Sequence, residues 1–237
     1  MGAGVFITGT DTGVGKTLVA CGLAALFKES GYRVGVMKPA ETGCAEKDGA
    51  LFPEDAARLK EASGSDEPLE KICPYRFKDP LAPGVAAERA GAAIDIDRIR
   101  ALYDETAAKN DLTIVEGAGG LLVPLLPHYT YADLAKLLKL PVVVVAANRL
   151  GALNHLLLTL ENAASRNLRV FGYIWNHLER EASLAAETNA DAMRFLTASP
   201  CLGEIPYIAS GDFTRTSLAD LFETRLGASI DSLLTRP

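Results

Sequence analysis

A chain of 237 residues that is 49% hydrophobic is long enough to bury a full core, and it fits one α/β domain, 1–237, better than two small ones. The net charge of −6, the pI near 5.2 and the absence of a long basic run argue against nucleic acid and anionic membrane surfaces as partners. Four cysteines without a C-x-x-C pair and three histidines without ligand spacing point to neither a disulfide framework nor a zinc site, so a reducing cytoplasmic setting is expected.

The N-terminus lacks the basic region and long apolar stretch of a signal peptide, and its apolar residues Val5-Phe6-Ile7 are needed for a first strand. That strand leads into Thr8-Gly9-Thr10-Asp11-Thr12-Gly13-Val14-Gly15-Lys16-Thr17 and then an alanine- and leucine-rich helix. Such a segment reads as a phosphate-binding loop, in which glycines let backbone N–H groups converge on an anion at a helix N-terminus. Lys16 is placed to neutralise β- and γ-phosphate oxygens, and Thr17 to reach the Mg²⁺ that travels with ATP. The pattern G-x-x-x-x-G-K-[ST] fails at its first place, where Thr10 stands and the glycine lies one residue earlier. An ordinary glycine-rich turn is the alternative, but the strand before, the helix after and the Gly-Lys-Thr end all agree on a nucleotide loop.

Apolar spacing predicts a helix over Lys16–Ser30, stopped by Gly31, and then a strand over Arg33–Met37. Lys38-Pro39-Ala40-Glu41-Thr42-Gly43 reads as a loop at that strand's end, since Pro39 lacks an N–H and Gly43 permits a turn. Glu54–Ala62 is expected to be a short helix, Ile72–Phe77 a short strand, and Pro80–Gly84 a broken segment. A helix over Ile96–Ala108, capped by Asp95, precedes a buried strand over Leu112–Val115 that ends at Glu116-Gly117-Ala118-Gly119-Gly120. Helices over Tyr131–Leu138, Asn154–Ser165 and Glu187–Phe195 alternate with strands over Val142–Ala147, Val170–Trp175 and Cys201–Ile205, and a helical tail follows over Leu218–Leu234. The longest apolar run, Leu140–Ala147, contains Pro141 and is too short to span a bilayer.

Strand–helix alternation with apolar, non-alternating strands predicts a parallel sheet with helices on both faces, a single-domain fold like that of P-loop nucleoside triphosphatases. Ligands of such sheets lie beyond the strands' C-terminal ends, where the phosphate loop, Lys38, Glu116 and Asn176 all fall. Lys38 reads as a second active-site lysine, against a plain strand-terminating charge. Glu116 reads as an acidic partner of a metal, and Asp55 either as another or as a helix-start carboxylate facing the dipole. Gly117, Gly119 and Gly120 allow close approach of a substrate or triphosphate, with a plain turn as the alternative, and Asn176 offers a donor and an acceptor to a purine edge, though asparagine is also a common turn residue.

Taken together, the loop, Lys38-Pro39 with Thr42-Gly43, Glu116-Gly117-Ala118-Gly119-Gly120 with Pro124-Leu125, Gly151-Ala152-Leu153-Asn154-His155 and Gly203-Glu204-Ile205-Pro206 resemble the dethiobiotin synthetase family over most of the chain. The displaced loop glycine is also how that family writes it. The resemblance implies a ligase of biotin biosynthesis that joins 7,8-diaminononanoate and CO₂ at the expense of ATP, with Mg²⁺. It implies that Lys38, Lys16 and Thr12 serve the reacting groups. Gly13, Val14, Gly15, Lys16, Thr17, Glu116, Gly119, Asn176 and Pro206 would bind the nucleotide. Thr12, Lys38, Thr42, Gly151, Leu153 and Asn154 would bind substrate, and Thr17, Asp55 and Glu116 the metal. It further implies a homodimer in which the substrate's distant carboxylate reaches the other subunit near Gly151–Asn154, with Leu156, Leu157 and Leu160 compatible with core or interface. The chain departs from the family at Gly13, at Pro83-Gly84-Val85 and after Ile208. Two other readings share the fold. A partner-switching ATPase of the partitioning or metal-delivery type usually carries a second lysine near position 11, where this chain has Asp11, and a related amidoligase would need a glutaminase domain for which there is no room.

Overall fold

The computed structural model describes residues 2–209 and 214–233. In chain order the elements are β1 (Ala3–Gly9), α1 (Lys16–Glu29), β2 (Val34–Met37), β3 (Ala40–Thr42), β4 (Ala45–Lys47), β5 (Ala50–Phe52), α2 (Glu54–Ser63), α3 (Leu69–Ile72), β6 (Tyr75–Phe77) and α4 (Pro83–Arg89). They continue with α5 (Ile96–Lys109), β7 (Leu112–Gly120), β8 (Pro124–Leu126), β9 (Tyr129–Thr130), α6 (Tyr131–Leu137), β10 (Val142–Ala147), α7 (Ala152–Ser165), β11 (Val170–Asn176), α8 (Leu184–Leu196), β12 (Cys201–Ile205) and α9 (Arg215–Ile230).

Six strands form the central sheet in the order β12-β11-β10-β1-β7-β2, every neighbouring pair parallel. The absence of polar alternation follows from burial on both faces. Along β10, Val143 and Val145 join the core under α1, α2 and α9, while Val142, Val144 and Ala146 join the core under α5, α6, α7 and α8. In β1, Val5 and Ile7 face the first core and Phe6 the second. Each such fully buried aliphatic side chain stabilises by roughly 1.5–3 kcal/mol, so the two middle strands fix the sheet's register. That register sets Ile7 opposite Val143 on one side and Glu116 on the other, which brings the end of β7 beside the phosphate loop.

The tail helix α9 is held more firmly than its sequence pattern implies. Leu218, Ala219, Phe222, Leu226 and Ile230 are buried against α1, and Gly22 is what admits the Phe222 ring, because a Cβ there would overlap it. The helix starts at Arg215, capped by Thr214, and ends at Ile230, so the expected span from Leu218 is three residues late; Leu234 lies outside the described residues. Helix α8 likewise begins at Leu184, capped by Ser183, and α7 at Ala152 rather than Asn154.

Four expectations need correction. Residues 38–43 are not a plain loop, because β3 pairs in parallel with β6, Ala40 opposite Tyr75 and Thr42 opposite Phe77. The expected strand over Ile72–Phe77 is split, since Ile72 closes α3 and only Tyr75–Phe77 is extended. The proline-rich segment at 80–84 gives rise to a helix, with Pro83 in the first turn, where a missing N–H costs nothing. Finally, β7 runs on through the glycines to Gly120, so Glu116 lies inside the strand rather than after it. No helix among the described residues is long and apolar enough to cross a membrane.

Candidate active site

Thr10 N–H donates to the Val145 carbonyl of β10 at 2.9 Å, tying the phosphate loop to the sheet as it leaves β1. Gly13 and Gly15 then take positive φ values of 76° and 92°, the left-handed turn that aims successive N–H groups inward and that residues with a side chain resist. Gly15 is required twice over. A Cβ on it would collide with the Asn176 amide, which donates from Nδ2 to the Val14 carbonyl at 2.9 Å. Asn176, at the C-terminal end of β11, therefore braces the loop from below. Its Oδ1 is buried without a partner among the described residues.

Beside the loop, five side chains converge. Lys38, just past β2 and 3% exposed, donates from Nζ to Glu116 Oε1 at 2.5 Å and to Asp55 Oδ2 at 3.0 Å. Thr17, in the first turn of α1, donates from Oγ1 to the same Glu116 oxygen at 2.9 Å. Lys16 is buried too, and its Nζ reaches the Asp11 carbonyl at 3.1 Å. Burial, and then the neighbouring Lys38 charge, bring Lys16 down to a pKa of about 8. For Lys38 burial acts the same way, but Glu116 and Asp55 more than offset it and hold the ammonium above its ordinary value. Burial raises the Glu116 carboxyl despite Lys38, whereas in Asp55 burial is outweighed by Lys38 and the acid is strengthened.

The donors suit a hard divalent cation held together with phosphate. Glu116 Oε2 is buried and unpartnered, while Thr17 Oγ1 and the Asp55 carboxylate stand at the same point. Among the described residues no group of three or more His, Cys, Asp or Glu side chains could hold a metal alone. A Mg²⁺ here would complete its shell with phosphate oxygens and water, as that ion ordinarily does with nucleotides.

A cavity of about 730 Å³ opens over this cluster. It collects Thr12, Gly13, Gly15, Lys16, Thr17, Lys38, Thr42, Asp55, Glu116 and Gly119 of the residues anticipated from sequence. Val14 lies in the core beneath it and takes part through its carbonyl. Asn176 and Pro206 do not line it; Pro206 follows Ile205, the β12 residue paired with Asn176 at the end of β11. Gly151, Leu153 and Asn154 do not line the cavity. They open α7, whose N-cap Gly151 leaves the helix start without a side-chain cap. Cys21, Cys44 and Cys73 are buried, and burial first of all pushes their thiols up, Cys44 to about 11.

The AAA domain family model matches residues 3–213. A protein named ATP-dependent dethiobiotin synthetase BioD in Aromatoleum aromaticum is 43% identical over 207 residues, covering 87% of this chain and 92% of its own length. The protein of that name in Anaeromyxobacter dehalogenans is 45% identical over 204 residues, covering 86% and 90%, and the one in Bacillus cereus 40% over 219 residues, covering 92% and 88%. The chain belongs to the dethiobiotin synthetase family.

Two solved structures share the fold of this dethiobiotin synthetase family member. A ParA family ATPase from Chlorobium tepidum superposes with a TM-score of 0.57 at 14% identity, covering 99% of this chain and 97% of its own. The septum site-determining protein MinD from Pyrococcus horikoshii gives 0.55 at 16% identity, covering 92% and 86%. At such identities the likeness concerns the fold alone. Of the cavity-lining residues not anticipated as site residues, the one with a titratable side chain is Glu41, on β3, whose carboxylate accepts from the N–H groups of Asp55 at 2.9 Å and Ala56 at 3.0 Å. Its only signal in the sequence was an acidic residue inside the otherwise apolar or small stretch that follows Lys38.

Proposed function

We infer that this chain converts 7,8-diaminononanoate, CO₂ and ATP into dethiobiotin, ADP and phosphate, as a ligase of biotin biosynthesis. The observation that carries the reading is the convergence of Lys16, Lys38, Thr17, Asp55 and Glu116 in one cavity of a chain 40% to 45% identical to dethiobiotin synthetases.

One substrate amine adds to CO₂ and gives up a proton, forming a carbamate. A carbamate oxygen attacks the γ-phosphorus of ATP as the bond to ADP breaks, giving a carbamic-phosphoric anhydride. The second amine then attacks the carbonyl carbon, loses its proton, and expels phosphate with the bridging oxygen. The difficult moment is the meeting of two anions, and fixed positive charge between them is what catalysis must supply. Lys38 takes the carbamate and Lys16 bridges it to the γ-phosphate, with Thr12 and Thr42 on the substrate side of the cavity. Thr17, Glu116 and Asp55 would hold Mg²⁺, which would supply positive charge to the triphosphate. Ring closure needs chiefly positioning, because both amines belong to one molecule. No protein nucleophile is required, in keeping with three buried, high-pKa cysteines.

At the base, Asn176 and Pro206 receive adenine, and the unpartnered Asn176 Oδ1 suits its exocyclic amine. We propose that the chain acts as one domain over 1–237, in the cytoplasm, and as a homodimer. The substrate's far carboxylate would rest on the uncapped start of α7, at Gly151, Leu153 and Asn154 of a second copy, since these residues lie off the cavity of their own chain. Exposed Leu122, Leu150 and Leu158 give that side the apolar surface a partner would cover. A partner-switching ATPase remains the competing class. It is tested together with the main reading by supplying 7,8-diaminononanoate, bicarbonate, Mg²⁺ and ATP and following dethiobiotin by mass spectrometry. Product formation is the expected result, and ATP turnover released only by a protein partner would overturn it.

A further inference from the structure

The metal side of the cavity depends on how Asp55 is held, and that depends on a residue from another element. Helix α2 begins after Pro53, which offers no side-chain acceptor to the orphan N–H groups of the first turn. Asp55, as the second residue of the helix, would ordinarily fold its own carboxylate back toward those groups or leave it in solvent. Instead, Glu41 reaches in from β3 and takes the N–H groups of Asp55 and Ala56, one with each carboxylate oxygen, at 2.9 and 3.0 Å. With those donors occupied, the Asp55 carboxylate turns to Lys38 at 3.0 Å, beside Glu116 and Thr17.

We propose that Glu41 is a positioning residue for the reaction: by capping α2 from across the cavity, it fixes Asp55 where the metal of the ATP complex is bound. A plain structural cap would be a short Ser, Thr or Asn at position 53, which adds no third carboxylate to a site already holding two. Glu41 is itself buried, is placed by the Glu41–Arg76 register of β3 and β6, and shares the cavity with the groups it orients. The helix N-terminus partly offsets its charge, which leaves Asp55 and Glu116 to face the cation site.

The inference rests on Asp55 serving the metal, so the experiment carries Asp55→Ala as a benchmark. Binding of a non-hydrolysable ATP analogue is measured by calorimetry with Mg²⁺ and again with chelator, for Glu41→Ala, Glu41→Gln and Asp55→Ala. Groups that orient metal ligands typically contribute on the order of tenfold or more in metal affinity, so Glu41→Ala should weaken the Mg²⁺-dependent part of binding about tenfold. Metal-free binding, which uses the phosphate loop, should not move; general damage to the fold would lower both. Glu41→Gln keeps the volume and one acceptor oxygen but sets an amide NH₂ against an N–H, so it should fall between wild type and Glu41→Ala, and it carries the test alone if the alanine variant does not fold. In the rate assay, excess Mg²⁺ should recover activity lost by either variant. Wild-type Mg²⁺ dependence in the Glu41 variants, with a loss in Asp55→Ala, overturns the positioning role and leaves the metal assignment standing. Wild-type dependence in Asp55→Ala overturns the metal assignment and this inference with it.

Discussion

Replacing Lys38 by Met keeps most of the side chain's length and removes its charge together with the hydrogen bonds it donates to Glu116 and Asp55, which tests the electrostatics of the cluster. The Lys38 and Glu116 side chains are 4% and 0% exposed, so the variant leaves a carboxylate in the interior without its counter-ion. Breaking one side of such a buried pair costs about 3 kcal/mol or somewhat more. Asp55 adds little to this figure, because its side chain is 37% exposed and screened. For a chain of this size each kcal/mol moves the melting temperature by about 2–4 °C, which makes the expected drop roughly 6–12 °C. Burial already raises the Glu116 carboxyl, and without Lys38 the main opposition to that shift is gone, leaving the weaker hydrogen bond from Thr17. The penalty is therefore full above the raised folded-state pKa, and it fades as pH falls toward the ordinary carboxylate range, where folded and unfolded chains both hold the proton. Thermal unfolding of variant and wild type near about pH 8 and near about pH 5 should show a gap that narrows on the acid side. Millimolar Mg²⁺ should raise the variant's melting temperature more than the wild type's, since the ion takes the place Lys38 left. An equal gap at both pH values, with no Mg²⁺ effect, would refute the reasoning.

Lys16, at a pKa of about 8 among Lys38, Glu116, Asp55 and Asp11, is partly neutral in the empty site above that pH and regains its proton against a triphosphate. Calorimetry in buffers of different ionisation enthalpy should therefore show proton uptake on nucleotide binding above about pH 8 and weaker affinity as pH rises; no uptake would contradict this. Asn176→Ala removes the bond to the Val14 carbonyl and the free acceptor at the base, and ATP affinity should fall about tenfold, with an unchanged affinity counting against both roles. Gly15→Ala adds a Cβ that meets the Asn176 amide at a φ of 92°, so nucleotide binding should be lost, and wild-type affinity in a calorimetric titration would show that the loop tolerates what its geometry forbids. If the α7 start of a second copy completes the substrate site, specific activity should drop on dilution in step with dissociation seen by sedimentation, and a fully active monomer would remove the shared site.

What the sequence disclosed divides by the range of the interaction involved. β10 was legible residue for residue, because burial on both faces turns it into an unbroken β-branched run. α5 was legible because Asp95 caps it through the Asp97 and Arg98 N–H groups, within three residues of its start. The phosphate loop is equally local. The small sheets were not, and for different reasons. β3 and β6 pair over some thirty-five residues, from Ala40 to Tyr75, with no local mark. The β4–β5 hairpin is too exposed to carry an apolar pattern, yet its turn, Asp48-Gly49 with φ of 52° and 77°, is a strong hairpin signal that the reading passed over. In the site, residue types and strand-end positions were enough to collect Lys16, Thr17, Lys38 and Glu116. The bracing of the loop by Asn176 and the capping of α2 by Glu41 depend on contacts between elements distant in sequence, which one sequence does not display.

The central claim is that a carbamate oxygen, held by Lys38 and Lys16, attacks the γ-phosphorus and later leaves with it. Running the reaction with oxygen-18 bicarbonate, fast relative to exchange with water, tests that claim directly. The account predicts one labelled oxygen in each phosphate released, with a second retained in the ureido carbonyl of dethiobiotin. Phosphate carrying only solvent oxygen, formed alongside dethiobiotin or without it, would contradict it.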